Sequence, residues 1–155
     1  MDLKILKKEY DVLAKKHKLP NFHEINEPFD IEKIDRESLT LLKQVRKVMM
    51  EKVVNILGFV EMLLNPMNAP RVYLVYFKSM SAEDKKILEK IYSIFSDLTL
   101  ASLECEINYS EKNEADIIKN IYNEWNNHTN DLNCIVANIR KPHNNDVQKE
   151  RTYFG

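Results

Sequence analysis

The stretch DRESLTLLKQVRKVMMEKVVNILGFVEMLL, residues 35–64, has the spacing of one long amphipathic helix. Its inner-face apolar residues recur every three or four positions, and they are Leu42, Val45, Met49, Val53, Ile56, Val60 and Leu63. Asp35 is a suitable cap for the first turn, and Asn65 followed by Pro66 ends the pattern. At ~1.5 Å per residue this helix would be ~45 Å long, so we expect it to be the central helix of the fold.

Three further segments repeat this spacing. Residues 2–17 form the first, with Asp2 placed to cap it. The second begins at Ser81, and Asp84 three positions later completes a capping-box arrangement. The third begins at Ser110 and ends before Pro142. Its apolar seam alternates spacings of three and four, as in coiled coils, through Ile118, Ile121, Trp125, His128, Leu132, Ile135 and Ile139.

The remaining segments are less regular. Pro20 and Pro28 favour an ordered loop that wraps the core over residues 19–34. Residues 72–77, VYLVYF, suit either a strand or a short buried helix, and residues 102–109 alternate with the period of a half-buried strand. We therefore predict an all-α, compact bundle of about four or five amphipathic helices. The alternative is an α+β fold in which 72–77 and 102–109 form a small two-stranded piece.

Length and composition indicate one domain. The chain has 155 residues, which is enough for a single hydrophobic core. Its net charge is -1. We expect a helical domain over residues 1–141 and a polar, flexible tail over 142–155. Cys105 and Cys134 show no pattern of a disulfide framework, and no apolar run approaches the ~20 residues that cross a bilayer. These features favour a cytoplasmic protein.

Several kinds of chemistry lack their sequence signals. Gly58 and Gly155 are the chain's two glycines, whereas phosphate-binding loops and dinucleotide folds need several. The sequence also has no nucleophile elbow, no zinc-protease motif and no Glu-x-x-His pair of a di-metal bundle. We assign no catalytic residue, metal ligand or cofactor, and no motif points to a known family.

Three groups of residues are candidates for function. Trp125, His128, Leu132 and Ile135 could form a partner interface along the seam of the last helix, with His128 either hydrogen-bonded in the bundle or setting the register of a dimer. Glu61 lies on a helix that is apolar nearly all round, so it is a candidate buried polar site, or a structural ion pair. The third group is a basic, anion-binding face of the first helix, formed by Lys4, Lys7, Lys8, Lys15, Lys16 and Lys18.

These groups correspond to three function hypotheses. The favoured one is a non-catalytic helical protein–protein interaction module that self-associates through its C-terminal, heptad-patterned helix. The second is a weak, sequence-independent nucleic-acid-binding protein that uses the basic N-terminal helix. The third is a small-molecule or metal-dependent helical-bundle enzyme centred on Glu61 or His128. The chain is rich in amphipathic stripes and poor in activating residues, which favours the first.

Overall fold

The chain folds as an all-α bundle in the computed structural model, which describes residues 3–34 and 40–141. All regular structure in these ranges is helical: α1 (Leu3–His17), α2 (Phe22–Phe29), α3 (Leu41–Leu64), α4 (Arg71–Ser79), α5 (Ala82–Ile107) and α6 (Glu111–Arg140), with single 3₁₀ turns at Ile31–Lys33 and Pro66–Asn68. The all-α prediction is confirmed. The α+β alternative is wrong for the described ranges, because 72–77 lies in α4 and 102–107 in α5.

The three long helices α3, α5 and α6 pack on one another and form the centre of the molecule. One core cluster includes Tyr10, Val45 and Phe95, and α1 and α2 cover it. A second cluster, with Val60 and Ile135, lies towards α4. Half-buried side chains such as Ile56, Ile87 and Leu132 pack against both clusters, so the two parts of the core are continuous.

Helix α3 matches its predicted inner face and its predicted end. Asn65 donates its backbone N–H to the carbonyl of Glu61 at 2.8 Å, which closes the last turn before Pro66. The helix begins at Leu41, after Thr40. Asp35, the expected cap, lies outside the described residues, as do 142–155, where we expected a flexible tail.

The loop expected over residues 19–34 contains a helix. Asn21 Oδ1 accepts the backbone N–H of Glu24 at 3.0 Å, and Glu24 Oε2 accepts the N–H of Asn21 at 2.8 Å. This capping box starts α2, and Pro28 falls in its last turn, where the helix is about to end. Phe22, Ile25 and Phe29 are buried, so the residues expected to hold this segment on the core do so from a helix.

Helix α5 includes residues 102–107, for which the sequence pattern also allowed a strand. Ser81 and Asp84 form the predicted capping box, with both hydrogen bonds at 3.0 Å. The helix then continues to Ile107. The period-two alternation near its end has a helical explanation: Cys105 is buried, whereas Leu103 and Ile107, four positions apart, share the outer face.

None of the helices described is both long and apolar enough to cross a membrane. Cys105, which is buried, and Cys134, which is exposed, are both free thiols.

Candidate functional site

The outer face of α5 carries an apolar stripe, formed by Leu100, Leu103 and Ile107. These side chains are 60%, 56% and 71% exposed. Their spacing of three and four places them on one face of the helix, opposite the core-facing Leu98 and Cys105. Single exposed apolar residues are ordinary on a protein surface, but three in register on one helix resemble a contact surface.

Acidic residues lie beside the apolar stripe. Asp97 and Glu104 are exposed, and at 3.6 residues per turn they lie together on the side of the stripe that faces α6. Neither carboxylate forms an ion pair with another described residue. From Ile91 to Ile107 the helix has three acids, Asp97, Glu104 and Glu106, and no lysine or arginine.

Next to these acids, α5 and the start of α6 enclose a shallow cleft of about 410 Å³. We call it the acidic cleft, because Glu104 and Asp116 line it. Its other lining residues are small, polar or apolar: Ala101, Cys105, Asn108, Asn113 and Ile117. Burial and the nearby Glu114 carboxylate raise the pKa of the Cys105 thiol, so this thiol stays protonated and unreactive.

A buried ionic network holds the end of α5 against α3 and α6. Arg46 is 3% exposed and Glu114 is fully buried. Arg46 Nε donates to Glu114 Oε2 at 2.6 Å, and Arg46 Nη1 donates to Ser102 Oγ at 2.5 Å. Arg46 Nη2 donates to Glu106 Oε2 at 2.5 Å. One guanidinium therefore links three helices just below the stripe, which fixes the backbone that presents it.

Glu106, at the other edge of the stripe, also forms ion pairs with two lysines. Lys43 Nζ lies 3.1 Å and Lys47 Nζ 3.2 Å from its Oε1. The Arg46 hydrogen bond, followed by those of the two lysines, lowers the pKa of Glu106 from 4.5 to about 2. The edge with Glu106 is thus neutralised, while the edge with Asp97 and Glu104 stays acidic.

Sequence reasoning missed this site. The apolar pattern of α3 does not identify Arg46, because this residue lies among Leu42, Val45 and Met49 on the inner face of the helix. The available signal is that Arg46 directly follows the core residue Val45. A guanidinium buried at such a position needs a carboxylate partner, which points to an ionic network. The alternative strand over 102–109 separates Leu103 and Ile107 from Leu100, so the sequence pattern does not show the stripe.

The expected interface on α6 packs inside the chain. Ile135 is 2% exposed and His128 is 6% exposed. Leu132 is half-buried and packs against both core clusters. Trp125 is half-buried, with its ring stacked on Phe95 at 6.4 Å between centroids. These four residues lie along one face of α6, as predicted, and that face meets α3 and α5.

Trp125 and His128 have additional partners. The Trp125 ring lies 5.3 Å from the Phe29 ring, and Lys52 Nζ lies 5.3 Å from the Trp125 centroid. His128 Nε2 is 3.4 Å from Glu124 Oε2, while its Nδ1 is buried, makes no hydrogen bond and lies 3.8 Å from Asp131 Oδ2. The histidine therefore sits between two carboxylates of its own helix.

Glu61 is not a buried site. It is exposed, because the neighbouring Val60 and Leu63 take the core positions of α3. Gly58 lies on the same outer face, and a methyl group added there would meet no atom within 4 Å. Val54, seven positions before Glu61 on the same side of α3, is also exposed.

The six lysines of the anion-binding hypothesis are all exposed. Four of them line a shallow groove on α1, but Asp11 lies in the same groove. Lys16 Nζ bonds Glu111 Oε1 at 2.7 Å, and His17 Nε2 contacts the same oxygen at 2.6 Å. These contacts lower the pKa of Glu111. Acidic groups therefore interrupt the basic face at two points.

Within residues 3–34 and 40–141, no group of three or more His, Cys, Asp or Glu side chains is placed to hold a metal ion. Comparison of the chain with protein-family models, with curated proteins and with solved structures gives no match.

Proposed function

We propose that this protein is a non-catalytic protein–protein interaction module that binds a basic amphipathic helix of a partner protein along the apolar stripe of α5. The observation that carries the proposal is the exposure of Leu100, Leu103 and Ile107, at 60%, 56% and 71%. Burying them against a partner would remove apolar surface from water, which is the main driving force of association.

The stripe suits a helical partner. Leu100 to Ile107 spans two turns, about 10 Å, and offers residues at i, i+3 and i+7, the spacing that a second helix meets with its own apolar face. The stripe is smaller than the roughly 800 Å² per partner of a standard interface. We therefore expect transient binding with a Kd of about 1 µM or weaker.

The charges indicate a basic partner. Asp97 and Glu104 are exposed along one edge of the stripe, and Asp116 extends the acidic surface across the acidic cleft. A partner helix with lysine or arginine beside its apolar face would pair with these carboxylates. Such complementarity speeds association and rejects acidic partners.

Self-association through α6 is less well supported. The face of α6 with Trp125, His128 and Ile135 is occupied by the chain's own α3 and α5, so a dimer along it would first have to open the core. The nucleic-acid alternative depends on α1, where Asp11 and Glu111 interrupt the lysines. The enzyme alternative depends on Glu61 and His128, which belong to different helices, and Glu61 is exposed whereas His128 is buried.

The proposal is tested with two designed helical peptides. Both carry leucine at positions i, i+3 and i+7; one has lysine at the flanking positions and the other has glutamate. Fluorescence anisotropy of labelled peptide with the full chain should show that the lysine peptide binds more tightly. The double variant Leu103→Ser/Ile107→Ser should weaken that binding at least about tenfold, because two apolar contacts are lost.

A matched control is available on α1. Ile5→Ser/Val12→Ser removes two apolar side chains of similar exposure, 51% and 63%, and should bind the lysine peptide as the unchanged protein does. Equal binding of both peptides, or equal loss in both double variants, would contradict the proposal. A dimer seen by sedimentation that Leu103→Ser/Ile107→Ser dissociates would assign the stripe to a second copy and overturn the proposed partner.

A further inference from the structure

A second concave surface lies at the opposite end of the bundle from the acidic cleft, between α3, α4 and α6. Phe59, Tyr76, Val136, Ile139 and Arg140 line a cleft of about 430 Å³. Its size is within the range of small-molecule sites, about 300–1,000 Å³. It shares no residue with the apolar stripe, so a ligand bound here would be independent of the proposed partner helix.

The cleft has apolar walls and one charged group. Ile139 is buried in the second core cluster and forms part of the cleft wall, and Val136 is 41% exposed. Phe59 and Tyr76 are half-buried and contribute aromatic surface. Arg140 is exposed, in the last turn of α6, and forms no ion pair with another described residue. A guanidinium in this setting is available to a bidentate carboxylate.

The wall formed by α4 is held less firmly than the rest of the bundle. None of its residues Arg71–Ser79 is buried. Its half-buried aromatic residues pack against the second core cluster, with Phe59 and Tyr73 centroids 6.0 Å apart and Tyr73 and Tyr76 centroids 5.8 Å apart. Half-buried aromatic side chains can move aside at lower cost than a close-packed core.

We infer that this cleft binds a free alkyl carboxylate, with the hydrocarbon chain against Phe59, Val136 and Ile139 and the carboxylate on the Arg140 guanidinium. The apolar walls account for the alkyl chain. The Arg140 guanidinium at one end accounts for the anionic head, because a charge-assisted hydrogen bond gains most where part of the ligand leaves water.

The inference is tested by calorimetric titration of the full chain with two probes, dodecanoate and dodecyltrimethylammonium, each below its micelle concentration. They share a chain and differ in head charge. We expect dodecanoate to bind at least about tenfold more tightly. Arg140→Gln should weaken dodecanoate binding about tenfold and leave the cationic probe unchanged. Lys112→Gln, at the other end of α6, removes an exposed charge as the matched control and should change neither.

Val136→Trp provides a second, geometric test. Its side chain is exposed enough for the larger ring to be tolerated, and the ring would fill the cleft, so both probes should bind more weakly. Circular dichroism verifies that the variant is folded. Equal affinity for the two probes, dodecanoate binding unaffected by Arg140→Gln, or no binding of dodecanoate below about 1 mM would each overturn the inference.

Discussion

Arg46 connects α3 to both α5 and α6. The residue is 3% exposed, and its guanidinium donates hydrogen bonds to Glu114, Ser102 and Glu106. A buried ion pair of this kind contributes little net stability relative to an apolar pair of the same shape, but removing one partner leaves an uncompensated charge. The network therefore specifies how α3, α5 and α6 meet more than it adds to the free energy of unfolding.

This asymmetry gives a prediction for Arg46 and Glu114. Glu114→Leu alone should lower the free energy of unfolding by about 3–5 kcal/mol, and Arg46→Met alone by a similar amount. The double variant should lose much less than the sum, because no unpaired charge remains. Urea unfolding of the four proteins measures the coupling. Additive losses would show that the two side chains act independently and would contradict this account.

The Glu106 carboxylate gives a prediction for pH. Its pKa is lowered from 4.5 to about 2, chiefly by the Arg46 hydrogen bond. A carboxylate with a lowered pKa in the folded state stabilises the fold above its ordinary pKa, and this stabilisation is lost as pH falls towards the folded value. The stability difference between the unchanged protein and Glu106→Gln should therefore shrink as pH falls from 4.5 to about 2.

Urea unfolding at several pH values measures this difference. Comparing the two proteins removes the effect of the other acids. Glu111, whose pKa is also lowered, is present in both. A stability difference that stays constant over this pH window would mean that the Glu106 carboxylate does not contribute through its charge.

At the scale of elements, α5 has two apolar faces. Leu98 and Cys105 face the core, while Leu100, Leu103 and Ile107 face solvent. A helix with two such faces shows no clean amphipathic period near its end, and this is why residues 102–109 resembled an alternating strand. Helix α2 was missed for a different reason: Pro20 and Pro28 suggested an extended chain, whereas the Asn21 and Glu24 capping box starts a helix between them.

Helix α4 gives the prediction at this scale. No residue of Arg71–Ser79 is buried, whereas α3 contributes Val45, Met49 and Val53, all fully buried. Elements with few buried contacts open locally at a lower free energy than core helices. Hydrogen exchange followed by mass spectrometry should show α4 amides exchanging much faster than those at the centre of α3. Equal protection of the two helices would contradict the loose packing of α4.

At the scale of the whole molecule, apolar periodicity was enough to predict the bundle and its central helix. Spacings of three and four in residues 42–63 and 118–139 predict side chains that the structure buries or, for Ile56, Trp125 and Leu132, packs half-buried against the core. The site could not be predicted in this way, because periodicity does not show which other helix covers an apolar face. The seam of α6 and the stripe of α5 have the same spacing, yet the first packs inside the chain and the second faces solvent.

The central claim is that the apolar stripe of α5 and the acidic edge beside it form the surface that binds a partner. The most direct test is nuclear magnetic resonance titration of the ¹⁵N-labelled full chain with the lysine-flanked helical peptide. We predict chemical-shift changes concentrated in residues 97–107 of α5 and 113–117 of α6. Changes concentrated in α1, or in the cleft between α3, α4 and α6, or no saturable change at all, would contradict the claim.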